Sequence, residues 1–186
     1  FVSIIANAID EAALNGSGSS SQPTGVLNTS GIGSVAIATN GGSVTLDHVI
    51  DLKKAVAIDN ADAASAAYVT NAKVEAAVSK LKDGNSAYHL SPYAGEIGRQ
   101  QIASRRFEVT NAIPSIHSKG SGSNLSAIVY GNFRDLFIGM FGSTEILVDP
   151  FSDFAKATTA IRILQSIDIA VAHSESFAAI KDVSAS

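Results

Sequence analysis

"NAIDEAALNGSGSSSQPTGVLN", residues 7–28, changes character midway. Ile5, Ile9, Ala12 and Ala13 fall at helical spacing with Asp10 and Glu11 on the opposite side, so the stretch opens as an amphipathic helix. Asn15-Gly16 then supplies the left-handed stop that helix C-termini favour. Residues 16–34 are rich in Gly and Ser and read as a flexible connector. A helix with so little before it reads as the last turns of a longer one. The start at Phe1, with neither Met nor a basic leader, adds to the expectation of an incomplete protein.

Working outward, Thr45 is a fitting N-cap for a helix reaching about Ile58, with Asp47 in its first turn. Its buried stripe is expected to be Leu46, Val49, Ile50 and Val56, with Lys53 and Lys54 in its C-terminal half. "AAYVTN" (66–71) reads as a short strand. Asn71 caps a further helix with Val74, Ala77, Val78 and Leu81 on one face, ending at Asp83-Gly84.

Past Gly84 the period becomes strand-like. "RRFEVTNAIP" (105–114) alternates, "LSAIVYGNF" (125–133) reads as a buried strand with a turn after it, and "DLFIGMFG" and "EILVDP" follow. From Ile161 to Val171, Ile161, Ile163, Ile167, Ile169 and Val171 face one way, and Arg162, Ser166 and Asp168 face the other. With helices early and strands late, the fold class is α+β.

The chain has 186 residues, 46% of them hydrophobic and 16% charged, enough for one sizeable domain or two small lobes with a true core. A formal net charge of -4 without a basic tail argues against nucleic acid as the main partner. No apolar run approaches the ~18 residues of a membrane span. The absence of Cys removes disulfides, thiolate metal sites and Cys nucleophiles together.

Little in the sequence points to catalysis. "NGSGSSS" lacks the Gly-Lys-Ser/Thr end of a phosphate loop, and Gly31, Gly33 and Ala36 match a dinucleotide fingerprint only where strand-like "VAIA" follows. His48, His89, His117 and His173 show no metal-ligand spacing, so the expectation is no metal and no cofactor. No Ser stands in a nucleophile elbow. "RQQIASRR" (99–106) is the densest basic patch. Its plain reading is a solvated loop before a strand; its sharper one makes Arg99, Arg105 and Arg106 candidate contacts with an acidic neighbour, a second copy of the chain included.

The order of segments carries more than any one motif. The helix ending in "AIDEAALNGSGSSSQPTGVLN", the helix "LDHVIDLKKAV", the strand "AAYVTN", "AYHLSP", "FEVTNAIP", "AIVYGNFRDLFIG" and "IRILQSIDIAVAHSESFAAI" together resemble the major capsid proteins of tailed bacteriophages, of the Hong Kong 97 type. The resemblance runs over essentially the whole chain. It implies that residues 7–15 end the long spine helix. Residues 1–22 and 134–173 would belong to the peripheral domain, and 23–133 and 174–186 to the axial domain. The N-terminal arm, the extended loop and most of the spine helix would lie outside the chain. The implied function is a structural, non-enzymatic capsid subunit of a phage or prophage. It would self-assemble into hexamers and pentamers of an icosahedral shell, with copies of itself as partners, packaged DNA near it only non-specifically, and no membrane. Its place would be the virion, after synthesis in the bacterial cytoplasm. An encapsulin-like shell housing a cargo enzyme is the alternative, and a small α+β enzyme a further one. Some members cross-link subunits through Lys, Asn and a catalytic Glu. Ungapped alignment on Ala172-His173 puts the Asn position on Thr159 and the Glu position on Ser166, so that chemistry is not carried over.

Overall fold

The computed structural model describes residues 2–88, 101–152 and 154–185. Helix α1 (Val2–Asn15) is the expected opening helix. It does not end on a left-handed residue, because Gly16 keeps a negative φ and its N–H bonds to Ala12 O at 2.9 Å. Glycine serves there for space: a Cβ at Gly16 would lie 2.2 Å from Pro23 O and 2.5 Å from Ala12 O.

That crowding corrects the reading of residues 16–34 as slack. Ser17 and Thr24 form an antiparallel bridge, and Gly25 N–H donates to Gly16 O at 2.9 Å. Asn28 Nδ2 donates to Asn15 O and Gly16 O at 3.1 and 2.9 Å. A 3-10 turn, Val26–Asn28, presents Val26 and Leu27, both fully buried. The Gly/Ser composition serves a tight excursion whose polar tip, 18–22, is largely in water while its base is packed.

Two helices and nine strands complete the described chain. Helix α2 (Leu46–Ile58) is closed by Thr45, whose Oγ1 accepts from His48 N, while His48 Nδ1 accepts from Thr45 N. Its buried residues are Val49, Leu52 and Val56; Ile50 is exposed, because the inward stripe runs through Leu52 instead. Helix α3 (Ala72–Ser79) is capped by Asn71 as expected. It ends at Ser79, before the expected Asp83-Gly84, which instead sits in a side-chain-stapled turn where Asp83 Oδ1 accepts from Asn85 N and Ala87 N.

The strands are β1 (Gly33–Ser34), β2 (Ala67–Thr70), β3 (Gln101–Ile102), β4 (Arg105–Val109), β5 (His117–Lys119), β6 (Gly122–Gly131), β7 (Leu136–Asp149), β8 (Ala160–Val171) and β9 (Phe177–Val183). Seven form one sheet in the order β1-β9-β6-β2-β4-β3, with β5 pairing β6 beside that path. β6 is central, and Leu125–Gly131 is buried without a break because both faces of the sheet are covered. "VAIA" (35–38) is not a strand, although Val35 N–H still bonds to Ala179 O at 3.1 Å and so extends the β1–β9 pairing by one residue.

One face of the sheet packs on α2 and α3. There Val49, Leu52, Val56, Val74 and Val78 meet Tyr68, Ile128, Tyr130 and Ile180. On the other face the end of α1 and the connector bring Leu14, Val26 and Leu27 against Val129, Phe177 and Ala179. The alternation of β9 divides its residues between the two cores: Ala178 and Ile180 go to the helices, Phe177 and Ala179 to the connector. β7 and β8 form a separate two-stranded sheet.

Candidate assembly surfaces

The β7–β8 ribbon follows from the long alternation noted in the sequence. β8 pairs antiparallel with β7 from Leu136↔Val171 to Asp149↔Ala160, with a break between Phe141 and Glu145. There β7 carries extra residues at Gly142 (φ +70), and Gln165 fills the break: Thr144 Oγ1 donates to its Oε1 at 2.6 Å, and its Nε2 donates to Phe141 O at 3.2 Å. At the far end Asp149 accepts from Phe151 N, Ser152 N and the Ser152 hydroxyl, and these bonds hold its carboxyl below the usual carboxylate range. They leave Phe151 at the tip, 82% exposed.

Pairing assigns the two faces. Leu136, Ile138, Met140, Ile146 and Val148 stand opposite Val171, Ile169, Ile167, Ile163 and Ile161, which puts ten apolar side chains on one face with Gln165 the polar member. The other face mixes Phe137, Phe141, Leu147 and Leu164 with Glu145, Arg162, Ser166 and Asp168. Helix α1 covers only one end of the apolar face, where Ala12 and Ala13 pack on Ile169 beside Leu136 and Ile167. Beyond that, Met140, Ile146 and Val148 are about 60% exposed. So long an apolar face marks a surface that further chain covers.

The basic patch is organised differently from a loop. β3 and β4 form a hairpin in which Gln101 pairs Arg106 and Ile102 pairs Arg105, turned by Ala103 and Ser104, both with positive φ. Arg105 points inward: its Nη2 donates to Asp62 Oδ2 at 2.8 Å, and Tyr130 donates to Asp62 Oδ1 at 2.5 Å. The Tyr130 hydroxyl is pushed up to about 12 by burial and by its bond to Asp62. Burial works to raise Asp62, but the bonds from Tyr130 and Arg105 and the Arg105 charge prevail and hold it below its ordinary value. Arg106 faces solvent and pairs with Glu108 at 2.6 Å. Arg99 lies outside the described residues. The structure thus separates two arginines that the sequence grouped.

This separation yields a prediction. Arg105→Ala should lower stability by about 1.5–3 kcal/mol, since a charged hydrogen bond in a half-buried network is lost, while Arg106→Ala should stay within about 0.5 kcal/mol. Thermal denaturation reads both. Because the folded-state value of Asp62 is lowered, its contribution is present above about pH 3.9 and disappears as pH falls through the lower folded value. Arg105→Ala should therefore also flatten the acid limb of the stability profile.

No group of three or more His, Asp or Glu among the described residues could hold a metal. His48 serves the α2 cap, His173 precedes a short 3-10 turn, His117 lies in β5, and His89 falls outside the described residues. No helix among the described residues is long and apolar enough to cross a membrane.

A helix-flanked sheet with a separate long ribbon matches the arrangement that the sequence resemblance implies, the Hong Kong 97-type capsid fold. Solved structures bear this out. The capsid of an empty GTA particle superposes with a TM-score of 0.72 at 24% identity, covering 98% of this chain and 64% of that one. A structure from Gordonia phage Cozz gives 0.64 at 14% identity, covering 100% and 61%. The holo-SrpI encapsulin complex from Synechococcus elongatus PCC 7942 gives 0.64 at 14%, covering 100% and 64%. This chain therefore spans less than two thirds of each of those chains. No curated protein sequence matches it. The model of the Phage capsid family matches residues 2–182, and the chain belongs to that family.

Proposed function

We propose that the protein is the major capsid subunit of a phage or prophage, assembling with copies of itself into hexamers and pentamers of an icosahedral shell around the genome. Its role is structural rather than catalytic, it acts in the virion, and it is made in the host cytoplasm. Residues 1–22 and 134–173 form its peripheral domain, and 23–133 and 174–186 its axial domain. In support, β7 and β8 share no strand pairing with the seven-stranded sheet. The observation that carries the reading is the arrangement of a helix-flanked seven-stranded sheet with a separate long β7–β8 ribbon in a chain of the Phage capsid family. In the assembled protein the ribbon's apolar face is covered by further chain, of the same subunit or of a neighbour. Electron microscopy of particles recovered from cells making the full-length protein tests this: closed particles holding nuclease-protected DNA are expected, and particles holding a protein cargo would move the assignment to an encapsulin. A full-length protein that forms no particles would overturn it, while residues 1–186 alone should stay a monomer or a small ring.

Two further outcomes follow. Thr159 and Ser166 are exposed at and along β8, and neither offers an amide to attack nor a carboxylate to act as base. Particles boiled in detergent should therefore run as a single-subunit band; a ladder of high-mass species would show linkage through other residues. Arg106, on the outer side of the β3–β4 hairpin, is the arginine we assign to contact with acidic side chains of the next copy. Capsomers should then loosen as salt rises through ~0.15 M, where the screening length is about 8 Å, and light scattering across that range would register a salt-insensitive assembly as the contrary result.

A further inference from the structure

A cleft of about 740 Å³ opens where the connector stops covering the sheet, between β1, β5 and β9. Four ionisable side chains line it: His117 and Lys119 from β5, Lys181 and Asp182 from β9. Two of these are committed to each other. Lys119 Nζ donates to Asp182 Oδ2 at 2.6 Å, and the buried Asp182 carboxylate also accepts from Ile37 N and Ala38 N. Lys181 makes no hydrogen bond or ion pair among the described residues, although the chain around it removes enough water to lower its pKa. The Ser34 and Ser118 hydroxyls at the cleft are likewise without a partner among the described residues. His117 is brought down by burial and by the Lys181 charge, and its Nε2 is shut from solvent with no partner among the described residues. In a chain of net charge -4, the cleft therefore carries uncompensated positive charge and idle hydroxyl donors.

We propose that this cleft binds the carboxylate side chains of an acidic peptide segment, with Lys181 as the pairing cation and Ser34 and Ser118 as neutral donors. A peptide suits it better than a bare anion or a nucleic acid. Leu27, Ile32, Val35 and Ala179 give it an apolar lining for side-chain methylenes, and a single unpaired lysine is a poor match for a polyanion. His117 does not bind; it senses, because a carboxylate beside Lys181 offsets the lysine charge that, after burial, lowers the ring's pKa. The inference stands apart from the shell assignment, since it needs only the folded chain.

The test is an NMR titration of the four histidine ring signals, with the His117 signal identified by its loss in His117→Asn. A blocked Leu-Glu-Glu-Leu tetrapeptide should shift the His117 signal and raise its midpoint. Lys181→Ala should weaken binding by about tenfold, the effect of one charge-assisted hydrogen bond, and Lys181→Arg should restore it. Ser118→Asp provides a second variant: a carboxylate tethered at the cleft should raise the His117 midpoint without peptide and suppress peptide binding. The proposal is overturned if the Leu-Gln-Gln-Leu peptide or inorganic phosphate binds as well as the acidic peptide, or if Lys181→Ala binds as tightly as the parent.

Discussion

An aspartate in place of Ile146 should stop closed particles from forming while leaving the subunit folded. Ile146 stands opposite Ile163 on the apolar face of the ribbon and is 64% exposed, so in the isolated chain a carboxylate there meets water at little cost. In the proposed shell the same position is buried against further chain, of the same subunit or of a neighbour. An unpaired carboxylate then either loses its hydration, at several kcal/mol, or stays protonated at a comparable penalty. Every subunit repeats the defect, so a modest loss per contact removes the assembly. Val148→Asp should behave alike, and Ile146→Val should assemble. Gradient sedimentation and electron microscopy read assembly, and circular dichroism reads the fold. Particles in normal yield from Ile146→Asp would show that this face remains in water within the shell.

The ribbon was also the most legible part of the sequence. Alternation across 161–171 is a signal that few structures other than a long strand produce, and β8 runs from Ala160 to Val171 as expected. The caps Thr45 and Asn71 were equally readable, because each acts on the backbone within three residues of itself. What local pattern could not show was long-range packing. Ile50 and Leu52 both sit in an apolar helix, and only the position of the sheet decides that Leu52 goes inward. Arg105 and Arg106 looked equivalent as neighbours in a basic run. Strand alternation sends them to opposite sides, and the acid that fixes Arg105, Asp62, lies 43 residues earlier. The cleft left no sequence signal, since β5 and β9 contribute to it from distant parts of the chain.

The connector was misread for a related reason, and Leu27→Ala measures by how much. Gly and Ser are the residues of flexible linkers, and they are also the residues that let two backbone segments approach closely. Composition alone does not separate the two uses. In the structure Gly25 has room for no Cβ: one would fall 2.4 Å from Gly16 N and 2.7 Å from Ala12 O. The strap so formed drives Leu27 into the core shared by Leu14, Val129, Phe177 and Ala179. Were the segment slack, truncating Leu27 would change nothing. Because Leu27 is fully buried, its loss should cost about 2–5 kcal/mol, and a chain of this size should melt roughly 5–15 °C lower. Ser20→Ala, at the exposed tip of the same segment, should move the melting point by no more than about 2 °C. The contrast between the two variants is the measurement. A small effect at both would return the segment to a plain linker. A large effect at Leu27 alone would mean that the connector fixes how α1, and the ribbon end packed on it, stand against the sheet.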